Sequence, residues 1–336
     1  MRKFSLVMCL LVLSLLVLPL SAQDTPTLTI YSGRGESLVG PIISQFSKTT
    51  GIQVEVLYGN TAAVANQIIE EGANSPADVY YGQDAGALGA LAKAGLLSEL
   101  PSEITELVAP EFRSPDGLWV GTSARARVLV YNPELVEELG LTLPESILDL
   151  TNPEYEGLVG WAPENASLQA QVTAMRVLLG DEATAEWLTG MVENGAVGFG
   201  SSNTNLYLAV ANGEIPMGIS NHYYMFGILA SDPDLPLAHY IFPNGDPGAL
   251  VNIAGAGVLA NSDQPELAQQ FIAFLLSPAA QQYFATETYE YPLIEGIITN
   301  PLLVPLESIQ TPEIDLSDLD DLQTTIEMIE SSGALD

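Results

Sequence analysis

The sequence predicts an α/β protein of two lobes. Each lobe is a parallel or mixed sheet with helices on both faces, and a hinge of two crossing strands joins them. Three observations lead there. Strand-like and helix-like segments alternate through most of the chain. Two long extended stretches, residues 118–131 and 249–259, interrupt that alternation. The length of 336 residues is enough for about two domains.

Residues 28–31 form a short apolar run that ends at Ser32-Gly33. Leu38, Ile42, Ile43 and Phe46 then recur at helical spacing, and Gly51 ends that helix. Residues 52–58 alternate like a strand, 61–71 read as a helix, 77–81 as a strand, and 85–94 as a helix closed by Gly95. This βαβαβα rhythm implies a mainly parallel sheet covered on both faces. The stretch 118–131 contains Thr122-Ser123-Ala124-Arg125-Ala126-Arg127 and is expected to cross between the lobes. Beyond it, Trp161-Ala162-Pro163 ends a strand, 168–179 and 183–192 are helices, and 215–220 is a strand. Residues 249–259 are expected to cross back. Residues 265–276 and 278–284 are helices, and 319–329 is an acidic helix on the outside.

The division that follows puts 27–124 and 250–300 in lobe 1 and 125–249 in lobe 2. A C-terminal helical segment, 301–336, packs on the lobes. Ligands of open α/β sheets bind beyond the carboxyl ends of the strands. Two facing lobes bring those ends to one cleft, and hinge closure around a ligand follows.

Residues 1–22 are expected to leave before folding matters. Arg2 and Lys3 precede an apolar run over 4–20, and Ser21-Ala22 precede the polar Gln23-Asp24. This is the layout of a cleaved secretory signal peptide, so a periplasmic or otherwise extracytoplasmic location is expected. The one cysteine, Cys9, lies in that leader, which leaves the mature chain without disulfides or thiolate metal sites. The formal charge is -33, from 42 acidic and 9 basic residues. Such a chain repels nucleic acid and anionic lipid. A hydrophobic content of 47% argues for a folded protein. An enzyme is not expected: His222 and His239 lack metalloprotease spacing, and no nucleophile elbow or phosphate-binding loop is present.

Positive charge is scarce enough to be informative. Two of the nine basic residues lie in the leader, and three of the remaining seven are Arg34, Arg125 and Arg127. They fall in two strand-end motifs, Tyr31-Ser32-Gly33-Arg34-Gly35-Glu36 and Ser123-Ala124-Arg125-Ala126-Arg127. Arginine suits bidentate oxyanion contacts, so these motifs form a candidate anion seat. Surface pairing with the many acids is the alternative. The second constellation is Ser220-Asn221-His222-Tyr223-Tyr224, after an apolar strand. Both tyrosines reach one ligand only if the backbone turns there, because adjacent strand residues point to opposite faces. A phenolate is a hard oxygen donor for a small, highly charged cation. An ordinary core or ligand-stacking wall is the alternative.

A wider set of segments carries a resemblance. These are Tyr31-Ser32-Gly33, Ser75-Pro76-Ala77-Asp78-Val79, Ala124-Arg125-Ala126-Arg127-Val128, Asn212-Gly213-Glu214-Ile215, Asn221-His222-Tyr223-Tyr224 and Asp246-Pro247-Gly248-Ala249-Leu250-Val251. In order and spacing, residues 28–303 resemble the ferric-ion-binding periplasmic proteins of ABC importers, a branch of the type 2 solute-binding superfamily. The resemblance implies the type 2 periplasmic-binding-protein fold. It also implies Tyr223 and Tyr224 as phenolate ligands to Fe3+, with a synergistic anion, carbonate or phosphate, completing the shell. Asn203 and Asn221 fall where some relatives hold that anion, and Asn165 and Ser167 match the loop that contacts it. An ABC permease and its ATPase are the implied partners of a monomer. Gly35 and Gln83 stand where some relatives carry a His and a Glu ligand, which leaves the opposing lobe's contribution open. Asp84, beside Gln83, is an additional candidate ligand, with a helix N-cap as its other reading. The rival function is a binding protein of the same fold for an organic solute or oxyanion, without iron.

Overall fold

The computed structural model describes residues 27–335. The expected signal peptide and Cys9 lie outside the described residues. The chain opens as β1 (Thr27–Ser32), α1 (Glu36–Thr50), β2 (Gln53–Tyr58), α2 (Thr61–Glu71), β3 (Val79–Gly82) and α3 (Ala85–Lys93), the expected alternation. β4 (Leu97–Ser98) and α4 (Ser102–Thr105) lead to the long β5 (Val120–Tyr131). Then come α5 (Pro133–Leu139), β6 (Val159–Trp161), α6 (Ala166–Leu179), α7 (Asp181–Glu193), β7 (Val197–Gly198), α8 (Asn203–Ala211), β8 (Met217–Asn221), α9 (Tyr223–Ser231) and β9 (Ala238–Tyr240). β10 (Val251–Leu259), α10 (Pro265–Leu275), α11 (Pro278–Glu287) and α12 (Leu322–Ser331) complete it.

The strands run in the order β2-β1-β3-β10-β5-β8-β6-β7, with β4 on β10 and β9 on β5. β5 belongs to both halves. Over Val120 to Ala126 it pairs antiparallel with β10, and over Arg127 to Tyr131 with β8. The expected return crossing over 249–259 is corrected: β10 pairs only with β3, β4 and residues 120–126 of β5, so the chain returns through 241–250, between β9 and β10, and Val251 lies opposite Ala126. Arg125 and Arg127 therefore lie at the handover between the two halves.

The apolar runs read as strands buried on both faces, and side chains alternate accordingly. Ile30, Val79 and Val258 pack toward α1 and α10, while Tyr31, Tyr80 and Ile253 pack toward α2 and α3. In the second half, Leu129, Met217 and Ile219 join the core with α6 and α7, and Val130 joins Leu206 and Tyr207 of α8.

The C-terminal segment differs from a single outer helix. A 3-10 turn over Leu316–Asp320 precedes α12, because Asp321 accepts from Thr324 N and restarts the helix there. Leu316 and Leu319 pack into the first half, and Ile329 packs into the second. The backbone of Ser317 and Leu319 presses on Gly89 and Gly86 of α3, where a Cβ has no room. Lys93 of α3 pairs with Asp320 at 2.7 Å, and Arg176 of α6 pairs with Asp321 at 2.9 Å.

Candidate anion and metal site

Arg34, Gln83, Asp84, Asn165, Ser167, Tyr223 and Tyr224 follow the carboxyl ends of β1, β3, β6 and β8, where an open α/β sheet binds ligands, whereas Arg125 and Arg127 lie within β5 and Asn203 opens α8 after β7. β8 ends at Asn221, and α9 starts at Tyr223. Consecutive residues in a helix are about 100° apart, not opposite as in a strand. The two tyrosines therefore share one side of the first turn of α9. Their ring centroids are 4.4 Å apart, and the Tyr223 hydroxyl donates to that of Tyr224 at 3.3 Å. Both are half-buried. Two oxygens each about 2 Å from one small hard cation can be at most about 4 Å apart, so the pair fits around a single ion.

Neighbouring side chains hold this turn. The Asn221 amide donates to the Tyr223 oxygen at 3.3 Å, and Arg127 Nη1 donates to Asn221 Oδ1 at 2.9 Å. Arg127 Nε donates to Gln171 Oε1 at 2.9 Å. His222 accepts from the backbone N–H of Ala126 through Nδ1 and donates from Nε2 to the Tyr289 carbonyl. Burial pushes its pKa down to about 4, so the ring is neutral. Both its nitrogens are committed to backbone, and it serves the turn. Tyr207 donates to the Asn221 carbonyl at 2.8 Å and receives a hydrogen bond from His239 Nε2.

Arg125 is buried, and none of its three guanidinium nitrogens has a hydrogen-bond partner among the described residues. An unpaired buried charge costs several kcal/mol, so this arrangement suits a bound anion. Its charge acts on both Tyr223 and Asp84. Burial lowers the Arg125 pKa, and burial brings Arg127 down to about 10 with Tyr223 opposing. Burial and then Tyr224 raise the Tyr223 phenol, while Arg125 and the Asn221 amide pull it back. Arg127 Nη2 and both amide atoms of buried Asn203 also lack partners.

The remaining candidates are placed differently. Arg34 does not join the anion seat: its Nη2 lies 2.7 Å from Glu290 Oε2, and its Nη1 donates to Tyr81 and Ser123. A buried carboxylate has claimed it, a partner 256 positions away that sequence proximity does not reveal. Asp84 is the N-cap of α3 and accepts from Ala87 N at 3.2 Å. Gln83 keeps a buried, unpartnered Oε1. Asn165 caps α6 by accepting from Ser167 N and donates to the Ser201 carbonyl. Gln171 and Tyr207 escaped the sequence reading. A glutamine on the apolar face of a helix beside Leu168, Val172 and Met175 was the available signal for Gln171. Among the described residues, no group of three or more His, Cys, Asp or Glu side chains is placed to hold a metal. Phenol oxygens are thus the hard donors gathered here.

Residues 31–282 match the model of the bacterial extracellular solute-binding protein family. The chain is a bacterial extracellular solute-binding protein. It groups with the ferric-ion-binding periplasmic members of that family. This solute-binding protein is 34% identical to the Fe(3+)-binding periplasmic protein of Serratia marcescens, over 94% of this chain and 93% of that one. It is 32% identical to the major ferric iron-binding protein of Neisseria meningitidis serogroup B, over 92% and 94% respectively. The crystal structure of iron-bound HitA from Pseudomonas aeruginosa superposes with a TM-score of 0.84 at 38% identity, covering 92% of this chain and 99% of HitA. The solute-binding protein thus has the expected two-lobed α/β fold.

Proposed function

We propose that the chain is an extracytoplasmic iron(III)-binding protein that delivers Fe3+ to an ABC importer. Tyr223 and Tyr224 hold the metal as phenolates, and a synergistic anion, carbonate or phosphate, lies against Arg125. One observation carries this: two phenol oxygens 3.3 Å apart stand within the electrostatic reach of a buried guanidinium that has no partner. A bare trivalent ion beside Arg125 and Arg127 meets like charge. An anion between metal and guanidinium resolves that conflict and satisfies the orphan donors. A trivalent cation in turn overcomes the raised phenol pKa, since a nearby positive charge favours the charged oxygen. Asn203, Asn221 and the loop at Asn165 and Ser167 supply further polar contacts to the anion. The relatives named for ferric iron binding support the same cargo.

The role is capture and release without turnover. With lobe 1 as 27–124 and 250–300 and lobe 2 as 125–249, the residues named for the metal and the anion all belong to lobe 2, and closure of lobe 1 over them dehydrates the site. The implied partners are a permease and its ATPase. Titration of metal-free protein with ferric salt plus bicarbonate or phosphate tests the proposal. A red-orange phenolate-to-iron band is expected, and Tyr223→Phe with Tyr224→Phe removes it. A colourless protein that is instead stabilised by an organic solute or free oxyanion establishes the iron-free function.

A further inference from the structure

We propose that Gln171 is a positioning residue that ties the tyrosine pair to the return crossing of the hinge, acting through Arg127 and Asn221. The proposal rests on the iron-binding function above. Gln171 is 1% exposed, on the face of α6 that packs into the core. A buried amide there is costly unless both its ends are bonded, and both are. Its Oε1 accepts from Arg127 Nε at 2.9 Å, and its Nε2 donates to the Pro247 carbonyl at 3.3 Å. Pro247 opens the 3-10 turn Pro247–Ala249 within the segment that returns the chain to β10. From Arg127 the connection runs through Asn221 to Tyr223 and on to Tyr224 without a gap.

The direction of each bond from Pro247 to Tyr223 is fixed. A guanidinium only donates, so Gln171 must turn its oxygen to Arg127 and its NH2 to Pro247. Asn221 must likewise turn its oxygen to Arg127, which aims its NH2 at the phenol. An amide rotated the other way would present an acceptor to Tyr223 and oppose negative charge on that oxygen. Arg127 thus selects the useful amide orientation, and Gln171 holds Arg127. One side chain joins the two strands of chain that link the lobes, β5 and 241–250, to the donor geometry.

Two variants test this. Gln171→Met keeps the volume and removes both bonds. Gln171→Glu keeps the acceptor for Arg127 and removes the donor to Pro247. In metal-free protein, the Arg127 Nε–H proton is followed by proton–nitrogen NMR. Its solvent exchange is expected to quicken about tenfold in Gln171→Met, the size of one lost hydrogen bond to a charged group, and to stay slow in Gln171→Glu. With iron, Gln171→Met is expected to shift the phenolate-to-iron band and release metal about tenfold faster. Gln171→Glu restores the band position while release stays fast. A folded Gln171→Met with unchanged Nε–H protection and an unchanged band overturns the proposal. A parent protein without the band sinks the iron function instead, and the metal-free exchange measurement still decides the role of Gln171.

Discussion

Arg34 Nη2 lies 2.7 Å from Glu290 Oε2, and both side chains are shut off from water. Ser123 and Thr288 also donate to Glu290. Removing one partner of such a pair leaves an uncompensated buried charge. Arg34→Met is expected to cost about 3–5 kcal/mol, and Arg34→Met with Glu290→Leu to regain most of it. Chemical denaturation of the single and double variants measures both. The double variant is expected to keep anion-dependent iron binding, because Arg34 serves the fold and not the anion.

The same pair, together with His222 and His239, sets the acid limit. Burial raises the Glu290 pKa, but the charge and hydrogen bond of Arg34, the Arg125 charge and the Thr288 hydrogen bond together outweigh it and leave the group below its ordinary 4.5. A depressed carboxylate contributes stability above that ordinary value and loses it as pH falls through the folded one. Burial also brings His239 down to about 3 from 6.5. Unfolded chains bind this proton first, so stability falls as pH drops from 6.5 toward 3. Melting temperature against pH is expected to decline across that window, and His239→Gln to flatten its upper part.

Arg125 is expected to trade stability for binding. Its guanidinium is buried without partners, so Arg125→Met should raise the melting temperature of metal-free protein by a few degrees, an effect of about 1 kcal/mol. The same variant should lose the dependence of iron retention on bicarbonate or phosphate, with at least about a tenfold faster release. Calorimetry and iron-release kinetics check the two halves.

Gly89 lets the backbone of Ser317 press onto α3. A larger side chain there displaces the segment that clasps both halves through Lys93 and Arg176. Gly89→Val is expected to cost about 1–3 kcal/mol as overpacking, read from the urea midpoint.

Much of the fold was legible because apolar period and punctuation agree. The α2 bounds, the end of β5 and the α10 start follow from periodicity, Gly and Pro alone. α8 was missed because Asn-Leu-Tyr-Leu-Ala-Val-Ala is apolar nearly all round and shows no polar face. The dyad was legible as residue chemistry, but its geometry depended on α9 starting at Tyr223, two residues earlier than the apolar run at Met225 suggests. Arg34 misled for a different reason. Its strand-end motif is local, whereas Glu290 reaches it only through tertiary packing. Gln171 was hidden because its two partners come from other elements.

The most direct measurement is the metal content of protein isolated from its own secreting cells without chelator, alongside the Tyr223→Phe and Tyr224→Phe double variant. The account predicts roughly equimolar iron in the parent, set by the one phenol pair, and almost none in the double variant. Iron-free parent protein, or iron retained in full by the double variant, would contradict it.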